Sequence, residues 1–176
     1  MIELHCAHGY LLHTFLSPLT NARSDEFGGD LQGRMCFPLR VVEEVREAWP
    51  QDKPMSVRVS SVVGVDVGWS ADDTVAFAKE LKRRGVDLVD CSSGGMTLPR
   101  QQQLVSRTPG FHIPYAHCVK QEAQPATVTV GLIRDAAHAE EILQAGQADL
   151  IAVAREALFN PNWALHAGLR LQGSDA

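Results

Sequence analysis

Apolar residues alternate with their neighbours at several places along the chain, and between those places they recur three or four apart. Ile2, Leu4 and Cys6 alternate with Glu3, His5 and Ala7, the period of a half-buried strand. The pattern returns over 55–60, where Val57 and Val59 alternate with Ser56, Arg58 and Ser60. Three more strands are predicted, over 86–91, 127–130 and 149–153. Helical spacing fills the intervals. Leu39, Val42, Val45 and Trp49 share one face of a helix predicted over 34–49, which Pro50 closes. Ser70 reads as the N-cap of the next helix, with Asp72 and Asp73 suited to its positive end and Gly85 as its stop. Further helices are predicted over 114–122, from Asp135 to Gly146, and after Asn160-Pro161.

Five strand–helix units in strict alternation imply an α/β fold with a parallel sheet. Two architectures fit, an open doubly wound sheet or part of a (β/α)8 barrel. No G-x-G-x-x-G follows any strand, which weakens a Rossmann nucleotide site. The connection over 17–33 is longer than most βα loops, a mark of a functional loop. Gly28-Gly29 inside it signals a turn with unusual backbone angles. The segment leading to His112 reads as a second long loop.

Composition narrows the class. The chain has 176 residues, 45% of them hydrophobic, enough for one domain with a real core. A formal charge of -5 argues against a nucleic acid or a membrane surface as partner. Cys6, Cys36, Cys91 and Cys118 form no C-x-x-C pair, which favours reduced thiols in a cytoplasmic protein. No apolar run reaches the length of a membrane span, and no secretory leader is expected.

Chemistry concentrates at two places. His5, His8 and Tyr10 crowd the end of the first strand, giving hydrogen-bond donors and a possible proton donor. The plainer alternative is one buried histidine, one surface histidine and a packing tyrosine. Zinc is disfavoured because no third ligand converges nearby. At the other end of the chain, Gly131 follows the fourth strand, while Ala154-Arg155 follows the fifth and opens a helical turn. In (β/α)8 barrels a phosphate commonly sits in the loops after strands seven and eight. If the five strands are the fourth to eighth, Gly131 and Arg155 fall in those loops; the alternative is a glycine turn and a surface arginine. Arg58, in mid-strand, is costly unless something anionic or electron-rich meets it.

The run from His8-Gly9-Tyr10 through Ser17-Pro18, then Asn21-Ala22-Arg23-Ser24-Asp25-Glu26-Phe27-Gly28-Gly29 and Arg34, resembles the Old Yellow Enzyme family, its bacterial branch above all. Val57-Arg58-Val59-Ser60, Asp90-Cys91-Ser92-Ser93-Gly94, Thr129-Val130-Gly131-Leu132-Ile133 and the stretch from Ala148 to Arg155 extend the likeness. The resemblance implies a (β/α)8 barrel carrying FMN, reduced by NAD(P)H, that reduces the C=C bond of α,β-unsaturated carbonyl compounds. By resemblance, His5 and His8 hold the carbonyl oxygen and Tyr10 is the proton donor. Arg58 lies against the flavin's polar edge, and Gly131, Ala154 and Arg155 hold its phosphate. Many members have glycine where Ala154 stands.

A complete barrel of this kind takes about 250 residues. The first three strand–helix units of the family, and its C-terminal extension, are therefore expected to be missing, leaving strands four to eight with bare edges. The whole chain, 1–176, is then one partial FMN-binding barrel domain. That expectation keeps a second class open: a truncated, non-catalytic fragment, one part of a split barrel with a complementing partner, or a homo-oligomer. A third is another phosphate-binding barrel enzyme, such as an isomerase, with no flavin.

Overall fold

Five strands form one parallel sheet in chain order: β1 (Ile2–Cys6), β2 (Met55–Ser60), β3 (Leu88–Ser92), β4 (Ala126–Thr129) and β5 (Leu150–Ile151). The computed structural model describes residues 1–65, 67–96 and 106–173. Interleaved with the strands are α1 (Leu11–Leu16), α2 (Leu31–Ala48), α3 (Ala71–Arg83), α4 (Ile113–Ala123), α5 (Ala136–Gln144), α6 (Arg155–Phe159) and α7 (Trp163–Leu171). Strand order decides between the two architectures. A doubly wound sheet reverses its winding at a switch point, whereas here each strand pairs with the next in sequence. That is the order of a (β/α) barrel wall. Among the described residues, β1 and β5 are each paired on one side only.

The register explains which residues face the core. Leu4, Val57, Val89 and Thr127 are partners across four strands, as are Cys6, Val59, Cys91 and Thr129. Apart from half-buried Leu4, all of these are buried, and the apolar ones pack with Met35, Leu39 and Val42 of α2 and Phe77 and Leu81 of α3. Each fully buried Val or Leu contributes about 1.5–3 kcal/mol relative to exposure. The alternate row is polar: His5, Arg58 and Asp90 are register partners, as are Ser60 and Ser92.

Two strand starts use one device. Asp87 takes the Met55 amide on its carboxylate at 2.9 Å and donates its own amide to the Met55 carbonyl at 2.9 Å. Asp149 repeats this at Thr127, at 2.8 and 3.0 Å. Each aspartate therefore fixes the register of the preceding strand. It also explains why β3 and β5 begin one to two residues later than the apolar pattern predicts, since both aspartates serve as caps. β5 is also cut short at its far end. Ala152 still donates to Thr129 at 2.8 Å, but pairing stops there.

Helix boundaries follow their caps. Asp30 accepts the Gly33 amide at 2.9 Å, so α2 starts three residues before the expected Arg34. Ser70 and Asp73 form the reciprocal capping box that starts α3. The short helix α1 is not predicted by the apolar pattern; Tyr10 is its N-cap and offers no side-chain bond. The long loop expected before His112 lies in part, over 97–105, outside the described residues. Exposed apolar side chains collect on α6 and α7, where Leu158 and Phe159 are 83% and 87% exposed.

Candidate active site

At the carboxyl end of β1 the chain turns sharply. His8 adopts a left-handed conformation, φ 57°, and Gly9 follows at φ 81°. Such a histidine persists only where its surroundings hold it. The His8 amide donates to Ser60 Oγ at 3.0 Å, and the Ser60 hydroxyl donates to the Gly94 carbonyl at 2.7 Å. Gly95 seals the turn from the other side: a Cβ there would lie 2.2 Å from His8 Cα. Gly95, after β3, therefore admits the backbone of the His8 turn, a role the motif alone does not show.

The imidazoles meet. His8 Nδ1 is 3.3 Å from His5 Nε2, and His8 Nε2 is 2.8 Å from Ser92 Oγ. The His5 ring lies 5.1 Å from that of His8 and 5.4 Å from the phenol of Tyr10. Burial, then the positive charge of Arg58, lowers the pKa of both His5 and His8. Neutral imidazoles each offer one N–H, which suits them to hold an oxygen rather than to protonate it. Tyr10 stands at the rim, 65% exposed. Behind them, buried His13 accepts the Gly9 amide on Nδ1 at 2.9 Å, leaving its Nε2 without a partner. His13 thus fixes the turn that carries His8 and Tyr10.

A cleft of about 860 Å³ connects this cluster to the other end of the chain. His8, Arg58 and Ser92 line one side, and Gly131, Ala154 and Arg155 line the other. Among the described residues its lining carries Arg58, Arg107, Arg134 and Arg155 against the carboxylate of Glu156. His5 and Tyr10 adjoin His8 but are not part of that lining. Gly131 has φ 127°, and a Cβ there would press on the Phe111 ring at 2.9 Å and His112 Nδ1 at 3.2 Å. That packing and its backbone angle both require glycine at this position. Leu132 follows at φ 54°, a strained angle for a bulky residue. Ala154 has φ -118°, a negative value that does not by itself call for glycine.

Several participants were not singled out from sequence. Asp90 Oδ2 lies 3.2 Å from Arg58 Nε and supplies the anion that a mid-strand arginine needs. Its own carboxyl is pushed up to about 6 by burial, against the opposing effect of Arg58. His112 is buried between the loops: its Nδ1 donates to the Val130 carbonyl at 2.9 Å, and Ser93 Oγ donates to its Nε2 at 2.8 Å. Asp90 and Ser93 lie in the Asp90–Gly94 stretch that carries the family likeness, which was the available signal.

These buried groups set an acid response. Burial brings His13 and His112 down from 6.5 to about 4, so the unfolded chain binds two more protons between those values. Asp90 acts oppositely, since the folded form holds one proton more from 3.8 up to about 6. Two minus one leaves a net uptake of one proton on unfolding between about pH 4 and 6. Stability is therefore expected to fall by roughly 1.4 kcal/mol per pH unit as pH drops through that window. The lowered His5 and His8 add to the same direction. Urea midpoints measured at pH 6.5 and 4.5 check this, and equal midpoints would contradict the neutral buried histidines.

A parallel (β/α) sheet, two imidazoles beside a phenol, and an arginine-lined cleft come together at the strands' carboxyl ends. The chain belongs to the NADH:flavin oxidoreductase / NADH oxidase family, which matches residues 1–172. FMN and a reduced nicotinamide are the cofactors of that class. The NADPH dehydrogenase of Bacillus velezensis is 46% identical over 171 residues, which is 97% of this chain and 49% of that protein. The NADPH dehydrogenase of Bacillus subtilis is 44% identical over the same shares. Morphinone reductase in complex with tetrahydroNAD superposes with a TM-score of 0.72 at 26% identity, over 99% of this chain and 44% of that one. A 2-naphthoyl-CoA reductase shares the fold at TM-score 0.81 and 22% identity, over 97% of this chain and 26% of that one. The chain spans about half the length of the curated relatives it matches.

Proposed function

We propose that the cleft holds FMN and that the site reduces the C=C bond of α,β-unsaturated carbonyl compounds at the expense of NAD(P)H. The observation that supports this reading is the cleft itself, which joins His8 and Arg58 to Gly131, Ala154 and Arg155. Its residues fit the group: about 860 Å³ lies in the range of cofactor pockets, and four arginines suit a phosphate and an electron-rich ring. Gly131, Ala154 and Arg155 would hold the phosphate, and Arg58 would meet the polar edge of the ring. FMN, when bound, supplies two-electron redox chemistry between the nicotinamide and the alkene. His5 and His8 donate N–H bonds to the carbonyl oxygen, favouring the enolate-like charge that develops there. To do so they exchange their long mutual contact for the substrate oxygen. Tyr10 Oη delivers the proton to the α-carbon.

The test is a flavin titration. A charge-assisted bond from Arg155 to the phosphate is worth roughly 1.5–3 kcal/mol, so Arg155→Ala is expected to weaken FMN binding by one to two powers of ten. Riboflavin, which has no phosphate, should bind both proteins alike. Equal losses for FMN and riboflavin would make Arg155 structural. The two singly paired edge strands favour a second reading: a non-catalytic piece, or one part of a split barrel that needs a complementing polypeptide. Wild-type chain that takes up no FMN in this titration supports that second reading.

A further inference from the structure

We propose that Asp90 is the positioning residue for Arg58, gripping the guanidinium from behind and fixing both its direction and the net charge presented to the cleft. The inference rests on the reading of that cleft as a flavin site. His5, Arg58 and Asp90 occupy one row across β1, β2 and β3, on the polar side of the sheet. Arg58 lines the cleft and Asp90 does not. The Asp90 side chain is 6% exposed and that of Arg58 30%, so the acid is the inner member. Their contact, Nε to Oδ2 at 3.2 Å, is ionic rather than a well-aligned hydrogen bond. Among the described residues nothing bonds the two terminal guanidinium nitrogens, which leaves them for a ligand.

Asp90 is poorly served for a residue that merely stabilises. Its Oδ1 is buried without a hydrogen-bond partner, a costly state for a carboxylate. Burial also raises its pKa in spite of the arginine beside it. Around it, β1 contributes Glu3 and His5, β2 contributes Arg58, and β4 contributes the apolar Val128. Arg58 is the cation in that row. Ionised Asp90 makes the pair neutral, so the cleft meets a directed but compensated guanidinium. A neutral residue at 90 leaves Arg58 with its full charge, which favours the more negative, reduced state of a bound flavin.

The experiment measures the midpoint potential of FMN bound to this chain at pH 8. Asp90→Asn is expected to shift it to a more positive value, while Asp90→Glu, which keeps the charge, stays near wild type. Asp90→Ser, smaller and also neutral, repeats the test where the asparagine variant does not fold. Neutral variants that lose FMN while the glutamate variant keeps it also support the assignment, because Arg58 then depends on the carboxylate. Stoichiometric FMN with an unchanged potential in either neutral variant overturns it. So does loss of FMN from the glutamate variant, or a shift there as large as in the neutral ones. Wild-type chain that binds no FMN overturns the reading of the cleft as a flavin site in this chain by itself, and the inference falls with it; a failure confined to the variants leaves that reading intact.

Discussion

Tyr10→Phe is expected to slow enone reduction by roughly 100- to 10,000-fold, the range a positioned general acid contributes, while reduction of the bound flavin by NAD(P)H changes little. The phenol stands 65% exposed at the rim, with its ring 5.4 Å from that of His5, so it can reach a substrate held between the imidazoles and the cleft. The substitution removes one oxygen from an exposed side chain. It should therefore leave stability within the small range of surface changes. Rapid-mixing measurements of the two half-reactions separate the roles, since only alkene reduction consumes the proton. If both half-reactions slow together, Tyr10 acts on the shape of the site instead. If neither slows, solvent supplies the proton.

The fold was largely legible because it is written in local periods. Val57 and Val59 face the core and Arg58 does not, as alternation requires. The Ser70 cap and the Gly85 stop bound α3 closely. Where reading failed, the cause was a long-range partner. Nothing near Asp87 or Asp149 in sequence shows that each caps a strand 32 or 22 residues earlier. Helix α1 is six residues long, lacks a side-chain cap and has no acid in its first turn, so no start signal exists. The same division runs through the site. His5, His8 and Tyr10 sit within six residues and announce themselves. The hydroxyls that hold His8, Ser60 and Ser92, stand 52 and 84 positions away, and only the parallel register brings them to it. Arg58 raised the question of what meets a mid-strand cation. The answer, Asp90, lay on the next strand, where no spacing rule points.

Replacing both His5 and His8 by alanine is expected to weaken binding of a phenol by roughly two to four powers of ten, with FMN content nearly unchanged. The estimate counts two hydrogen bonds to a phenolate oxygen at roughly 1.5–3 kcal/mol each. Phenols serve as probes because their oxygen carries charge like that of the enolate the site is proposed to favour. The single variants should differ. His8 lines the cleft and is anchored by Ser60 through its amide and by Ser92 through its ring, whereas His5 reaches it through a 3.3 Å contact with His8. His8→Ala is therefore expected to cost more than His5→Ala. The double variant should lose less than the sum, because each imidazole orients the other. Lowering the pH works against the same pair. Protonation of either ring meets the Arg58 charge that already depresses both, so affinity for a phenol that is already ionised in solution should stay flat across the neutral range rather than track a histidine titration near 6.5. Spectral titration of the bound flavin with a phenol, for wild type and the three variants, reads all of these at once. Equal phenol affinity in wild type and the double variant removes the two histidines from the substrate site.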